Sequence, residues 1–250
     1  LPNIMYGKTF FTEKLGYFDF QTNTSYKNYD GDKHLSIIKN DLIWTSNNII
    51  SKKGLVNTLG GMISNTNYDA KNTGGEYKTN GKVTELKSVL TYKSSLPMKK
   101  DKSNSFNIFS PSFMIRYAPG HMRNLKGDNI MLKYVNLFST NKTSDIENGL
   151  STILGFDFTK NDKNRDGSNR ERFSLSMGQV FRAERNEDIP SKSSLDQKMS
   201  DIVGELNYNF LEMGSIDYKF SIDHNVNDLN YSEISSNFNF GKVDFNLDYL

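Results

Sequence analysis

Residues 216–223 read Ile-Asp-Tyr-Lys-Phe-Ser-Ile-Asp, a strict alternation of apolar and polar side chains. Residues 243–249, Val-Asp-Phe-Asn-Leu-Asp-Tyr, repeat the alternation. Upstream, Ile202, Leu206, Tyr208 and Phe210 alternate with Val203, Glu205, Asn207 and Asn209. Strand side chains point to opposite faces in turn, so each run forms a ribbon with one oily and one wet side. Short polar or glycine-bearing links separate the ribbons at Glu212-Met213-Gly214, Asn225 to Asp228, and Gly241-Lys242. Links of this kind close antiparallel hairpins, and the whole reads as an up-and-down meander. Leu229 to Phe240 is its least regular member: Tyr231 and Ile234 fall on opposite faces, which predicts a bulge.

The pattern continues toward the N-terminus. Leu1 to Phe10 reads as a strand, with a turn through Thr12 to Gly16. Phe18, Phe20, Thr22, Thr24 and Tyr26 alternate with polar residues, and Tyr29-Asp30-Gly31-Asp32 signals a turn. His34 to Ile50 carries Ile38, Leu42 and Trp44, and Leu55 to Tyr68 is predicted to bulge or bend at Gly60-Gly61. Asp69 to Gly81 is a polar loop. Val83 to Leu96 shows Leu86, Leu90 and Tyr92 on one face, and Pro97 to Ser105 reads as a basic loop. Phe106 to Tyr117 contains Pro111, which disfavours full pairing there. Ala118 to Asn148 is long and irregular, with an apolar island at Ile130 to Phe138 that is a short strand or a loop folded into a cavity. Leu150, Thr152, Leu154, Phe156 and Phe158 resume the alternation before a charged loop, Lys160 to Arg170. Phe173, Leu175, Met177 and Phe181 share one face of the next strand, and a polar loop, Glu184 to Ser200, leads into the meander.

Composition narrows the class. The 250 residues are 36% hydrophobic and 12% aromatic, which suits sheets that bury one face only. Charges nearly balance, 31 basic against 29 acidic, so no long-range field favours nucleic acid as a partner. Cysteine is absent, which removes disulfides and thiolate metal sites. No run approaches the roughly 18 consecutive apolar residues of a membrane helix. The chain starts at Leu1 and stops at Leu250 inside an alternating run, so it reads as an internal fragment, without a signal peptide, of a longer protein.

The decisive quantity is strand length. About twelve candidate strands of about 9 to 13 residues compare with a mean near 5 to 6 in soluble proteins. A tilted strand needs about 9 to 11 residues to cross a bilayer. Links alternate between shorter and longer, as in outer-membrane barrels. In hydrocarbon every backbone polar group must pair within the protein, so strands survive only in closed barrels. If Ile216, Tyr218, Phe220 and Ile222 meet lipid, Asp217, Lys219 and Asp223 face a wet lumen, as do Asp244 and Asp248. The predicted class is all-β: an antiparallel transmembrane barrel, here an arc of a wider one. Phe238, Phe240, Phe245 and Tyr249 are candidates for an interface girdle.

A family resemblance sharpens this. The run Phe173-Ser-Leu-Ser-Met-Gly178-Gln179-Val-Phe-Arg182, with Asp188-Ile-Pro190 and Ser200-Asp201-Ile-Val-Gly204, resembles the barrel of the LptD family, the LPS-assembly or organic solvent tolerance proteins. Tyr134-Val-Asn136-Leu137-Phe138-Ser139 with Asp145-Ile146-Glu147-Asn-Gly149 resembles the family's preceding loop and strand. Ser110 to Pro119 and Tyr29-Asp-Gly31 fit less specifically. The family pattern has Asp-Arg before its Ile-Glu pair, whereas Ser144-Asp145-Ile146 has no Arg. The resemblance implies a barrel of roughly 26 strands, of which residues 1–250 are a part without the family's periplasmic jelly roll. It also implies localisation in a Gram-negative outer membrane. The implied partners are lipopolysaccharide, outer-membrane lipid, an LptE-type plug lipoprotein and the periplasmic Lpt bridge. The lateral seam through which the substrate leaves is expected outside this fragment.

No catalytic, cofactor or metal site emerges. His34, His121 and His224 lie far apart in sequence. Asp162-Lys-Asn164-Arg-Asp166-Gly167 imitates the start of a calcium loop, but Phe173 stands where a bidentate Glu belongs. Gly60-Gly61 and Gly74-Gly75 lack the phosphate-loop context, and no Gly-x-Ser-x-Gly elbow occurs. The basic run Lys99-Lys100-Asp101-Lys102 is a solvated loop or a contact for lipid phosphates. The reading is a non-enzymatic lipopolysaccharide translocation component. The alternatives are another barrel, porin or receptor, and a soluble β-sandwich or adhesin.

Overall fold

The computed structural model describes residues 2–73, 77, 80–164, 167–210, 213–239, 241 and 243–249. The first strands are β1 (Asn3–Thr12), β2 (Gly16–Tyr29), β3 (Lys33–Thr45), β4 (Ile49–Ile50), β5 (Val56–Lys71), β6 (Gly81–Ser95), β7 (Met98–Asp101) and β8 (Ser105–Ala118). One helical turn, α1 (Tyr134–Leu137), precedes β9 (Gly149–Lys163) and β10 (Asn169–Arg182). A 3-10 turn at Ser191–Ser193 precedes β11 (Ile202–Asn209), β12 (Gly214–Ile222), β13 (Leu229–Asn239) and β14 (Asp244–Tyr249). Twelve strands form one antiparallel path in chain order, with β4 paired to β5 and β7 to β8 off that path. Among the described residues β1 and β14 do not pair with each other, so the sheet is an open arc.

The strands are long because the alternation is long. β5 has 16 residues, β6 and β9 have 15, and β2, β8 and β10 have 14. Each exceeds the roughly 9 to 11 residues that cross a bilayer at a tilt. Paired residues share a face, so the registers assign every side chain to one of two faces. One face carries Leu42, Ile63, Leu90, Tyr117, Leu154, Met177, Tyr218 and Phe245; nothing described packs on it, and we call it bare. Residues 119–148 and 183–201 fold back onto the other, clad face. There Met114, Ile153, Val180 and Val203 from the strands meet Met122, Leu125, Leu132, Leu137, Ile189 and Leu195 in a buried core.

Several local expectations are corrected. Gly60-Gly61 does not bulge: the registers with β3 and β6 run straight through. A Cβ on Gly60 would instead stand 2.5 Å from the Thr91 hydroxyl, so the glycine serves close packing. The strand predicted from His34 to Ile50 breaks after Thr45, and Ile49–Ile50 pair separately. The basic loop after Pro97 contains β7, whose pairing covers Phe106 to Phe109 of β8. Pro111 sits where the partner of β8 changes from β7 to β6, a junction that tolerates a missing N–H. The apolar island is a folded-in loop with one helical turn, not a strand. The bulge expected in β13 is present, at the register shift where Ile222 pairs Leu229 and Ser221 pairs Tyr231. Gly74-Gly75, Asp166, Glu212, Phe240 and Lys242 lie outside the described residues.

Candidate functional site: an inner segment clamped to the sheet

Residues 119–148 are held by two buried ion clusters and a glycine seat. In the first cluster, Arg116 of β8 and Arg182 of β10 both register with Ser151 of β9. Two guanidiniums therefore flank one small residue on the clad face. Glu147 lies over both: Arg182 Nη1 donates to its Oε2 at 3.2 Å, and Arg116 Nε stands 3.7 Å from its Oε1. Lys142 Nζ joins from 3.4 Å. Arg116 also donates to the Thr140 and Glu147 carbonyls, each at 2.7 Å, and Arg182 donates to the Asn148 carbonyl. These bonds satisfy irregular backbone that would otherwise be buried without partners. Burial pushes the Glu147 carboxyl up, but Lys142, Arg116 and Arg182 together hold it below its ordinary range. Burial lowers the Lys142 ammonium, and Glu147 restores only part of that.

The second cluster fixes the other flank of the segment. Lys87 of β6 pairs with Asp145 and, at 3.2 Å, with Glu85. Arg123 donates through Nη2 to Glu85 at 2.7 Å, and its backbone N–H donates to Asp145 at 2.8 Å. Its guanidinium lies 4.5 Å from the Tyr77 ring centroid. For Asp145 burial raises the carboxyl pKa, while bonds from Lys87 and the Arg123 N–H carry it below the usual value. No Arg stands next to Asp145 in sequence, yet a Lys and an Arg from elsewhere supply the counter-charge.

The glycine seat joins two of the quoted motifs. Gly155 of β9 and Gly178 of β10 are register partners on the clad face. A Cβ on Gly178 would stand 2.4 Å from Leu137 Cδ2 and 2.6 Å from the Leu154 carbonyl oxygen. A Cβ on Gly155 would stand 3.1 Å from the Phe138 ring. The bare backbone of the pair is therefore the floor for Leu137 and Phe138. Asn136 shapes that turn: its side chain accepts from the Lys133 N–H at 2.9 Å and donates to the Met131 carbonyl at 3.0 Å. Gln179 points to the other face yet donates to the Ser200 carbonyl at 2.7 Å, and the Ser200 hydroxyl accepts from the Val180 N–H at 3.0 Å. Asp201 accepts from Ser221 and Asn230, each at 2.8 Å, tying the rim of β11 to β12 and β13.

Beyond this clamp the clad face is polar and half open. Lys219 donates to Glu233 at 2.9 Å, and Asn207 donates to Asp217 at 2.6 Å. Lys133 reaches from the inner segment to Tyr231 at 2.8 Å and Glu233 at 3.4 Å. Asp217, Lys219, Asp244 and Asp248 all have register partners on this face. Asp223 lies in the turn after β12, where it accepts from the Asn225 N–H at 2.9 Å beside His224. Phe238, Phe245 and Tyr249 share the bare face. Among the described residues no cluster of metal-ligating side chains forms. Asp162 of the calcium-like run pairs with Arg172 at 3.4 Å.

Sequence reasoning missed the clamp residues Lys87, Arg116 and Arg123, and gave Arg182 and Glu147 no role. The available signal was parity: Lys87, Arg116 and Arg182 stand on the face opposite to the oily residues of their strands.

A family model described as LPS transport system D, LptD, matches residues 1–250. The chain belongs to the LptD family. No curated protein matches the chain. LptD is an outer-membrane lipopolysaccharide transport and assembly family rather than an enzyme family, and the open all-antiparallel sheet fits an arc of its barrel.

Proposed function

We propose that this chain is wall and lining of the lipopolysaccharide translocon. The bare face meets lipid hydrocarbon. The clad face, with Asp217, Lys219, Asp244 and Asp248, borders a water-filled interior. Lipid A must avoid water and its phosphorylated sugars must avoid hydrocarbon, so a wet lumen inside an oily wall separates the two demands. The role is guidance rather than bond chemistry. An LptE-type lipoprotein and the periplasmic Lpt bridge are the proposed partners of the assembled protein.

One observation carries this reading: within β8 to β10 the clad face buries the cations Arg116 and Arg182, while the bare face leaves Ile115, Leu150 and Leu154 exposed. Arg116 is 0% exposed and Leu154 is 49% exposed. A water-soluble sheet has the reverse arrangement.

The test uses single cysteines in the full protein reconstituted in bilayers, each carrying a nitroxide. Labels at Leu86, Leu90 and Ile115 should collide with oxygen and not with a water-soluble nickel chelate. Labels at Asn207 and Ser235 should do the opposite. Equal chelate access on both faces would sink the membrane reading. A photo-cross-linker at Asn207 or Tyr231 in living cells should capture lipopolysaccharide, and one at Leu86 should not show transport-dependent capture.

A further inference from the structure

The net positive charge of the chain is concentrated at one corner of the sheet. Residues 98–106, 160–164 and 167–172 hold seven basic and three acidic side chains, against 31 and 29 in the whole chain. The remainder is therefore slightly acidic. These residues form the ends of β7, β8, β9 and β10, at the end of the sheet opposite to the inner segment's entry. Two of the three carboxylates are already engaged there. Asp101 sits between Lys99 at 3.1 Å and Lys163 at 3.0 Å, and Asp162 pairs with Arg172. Among the described residues Lys100, Lys102, Lys160 and Arg170 have no acidic partner.

The change of character along the bare face is abrupt. Phe109, Phe158 and Leu175 form one register row, and the Phe109 ring lies tilted 5.5 Å from that of Phe156. Two residues further along, the row is Lys100, Asn107, Lys160 and Phe173. After that come Ser105, Asp162 and Arg170. Two residues of strand advance about 7 Å. Aromatic rings persist at the border: Phe158 lies 6.1 Å from Phe173, and the Arg172 guanidinium lies 5.9 Å from the Tyr208 ring centroid. Aromatic rings below a row of long cationic side chains are what a hydrocarbon-to-headgroup boundary selects, because rings tolerate both media and ammonium heads reach outward.

We propose that this corner docks onto the phosphate headgroups of anionic phospholipid in the adjoining leaflet. The inference rests on the bare face meeting lipid. Lys100 and Lys160 straddle Asn107 at headgroup depth, Lys102 and Arg170 extend the surface beyond it, and phosphate supplies the counter-charge that the protein lacks there. A basic side chain at a leaflet surface favours anionic lipid by about fivefold, and salt weakens the effect.

Electron spin resonance on the full protein in phosphatidylcholine bilayers tests this, using spin-labelled phosphatidylglycerol and phosphatidylcholine as probes. The motionally restricted fraction should favour phosphatidylglycerol by about fivefold at low salt and lose the preference near about 0.5 M NaCl. Lys100→Gln, Lys102→Gln, Lys160→Gln and Arg170→Gln together should abolish it, whereas Lys126→Gln with Lys192→Gln, at the other end, should not. Equal retention of both lipids by the unaltered protein, or an undiminished preference in the fourfold variant, overturns the proposal. Should the fourfold variant lose its heat-modifiable gel shift, the single variants Lys100→Gln and Lys160→Gln and the salt series still decide. Absence of any restricted fraction with either probe would strike the membrane reading itself.

Discussion

The two faces of β8 to β10 are built from the same strands and obey opposite rules. On the bare face Phe109, Ile115, Leu150 and Leu154 stand exposed. On the clad face Arg116 and Arg182 are buried under an irregular segment that brings the buried Glu147 over them. On the proposed reading two different media shape one sheet. The bare face then needs no covering, because the medium proposed around it is itself apolar. The clad face would be wet, so charged side chains are affordable there and serve to hold a long loop whose carbonyls need donors.

The largest blow to that contrast is removal of the central anion. Glu147→Gln leaves Arg116, Arg182 and Lys142 buried without their counter-charge, and loss of one partner of such a cluster costs about 3 to 5 kcal/mol. Denaturant unfolding in detergent, with protease cleavage inside 119–148, should report both lost stability and a released segment. A fully protected segment in that variant would show that packing alone holds it.

A charge placed on the wrong face comes next. Leu154→Arg should destabilise by about 2 to 4 kcal/mol in a bilayer, while Asn207→Arg on the clad face should cost little. Equal costs for the two would erase the distinction between the faces. Gly178→Ala tests the seat and should cost about 1 to 3 kcal/mol, because the new methyl meets the Leu154 carbonyl as well as Leu137. Hydrogen exchange should then rise at residues 134–138 before it rises in the strands.

Acid probes the same clamp without mutation. Glu147 and Asp145 have folded pKa values below their ordinary 4.5 and 3.8. Their stabilisation is therefore complete above those values and is lost as pH falls through the depressed folded ones. The unfolding midpoint should lose nothing from these groups between pH 7 and 5 and fall only in stronger acid. Glu147→Gln should flatten part of that acid limb. The smallest effect is expected from Lys133→Met, which cuts a half-exposed tie to Tyr231 and Glu233. It should cost under about 1 kcal/mol and appear mainly as faster exchange near residues 130–136.

Much of the fold was legible in residue order. Ile216 to Asp223 and Leu150 to Phe158 fix strand identity and parity, because a period of two admits no other regular structure. Leu229 to Phe240 betrayed its bulge by a break in that period, Tyr231 and Ile234 falling on opposite faces. Strands β4 and β7 were hidden, since two isoleucines or four mostly polar residues are too short to carry a periodic signal. Gly60-Gly61 misled because a glycine needed for close approach looks the same in sequence as one needed for a bend.

Sequence by itself determined which side chains share a face, how tall the strands are, and the family to which the chain belongs. All three are local properties, set by alternation along the backbone or by short motifs. Tertiary structure alone decided that Asn136-Leu137-Phe138 seats on Gly155 and Gly178, and that Arg116, Arg182 and Lys142 converge on Glu147. Those contacts join residues that only strand register and a returning loop bring together, and neither is written in any single stretch of the chain.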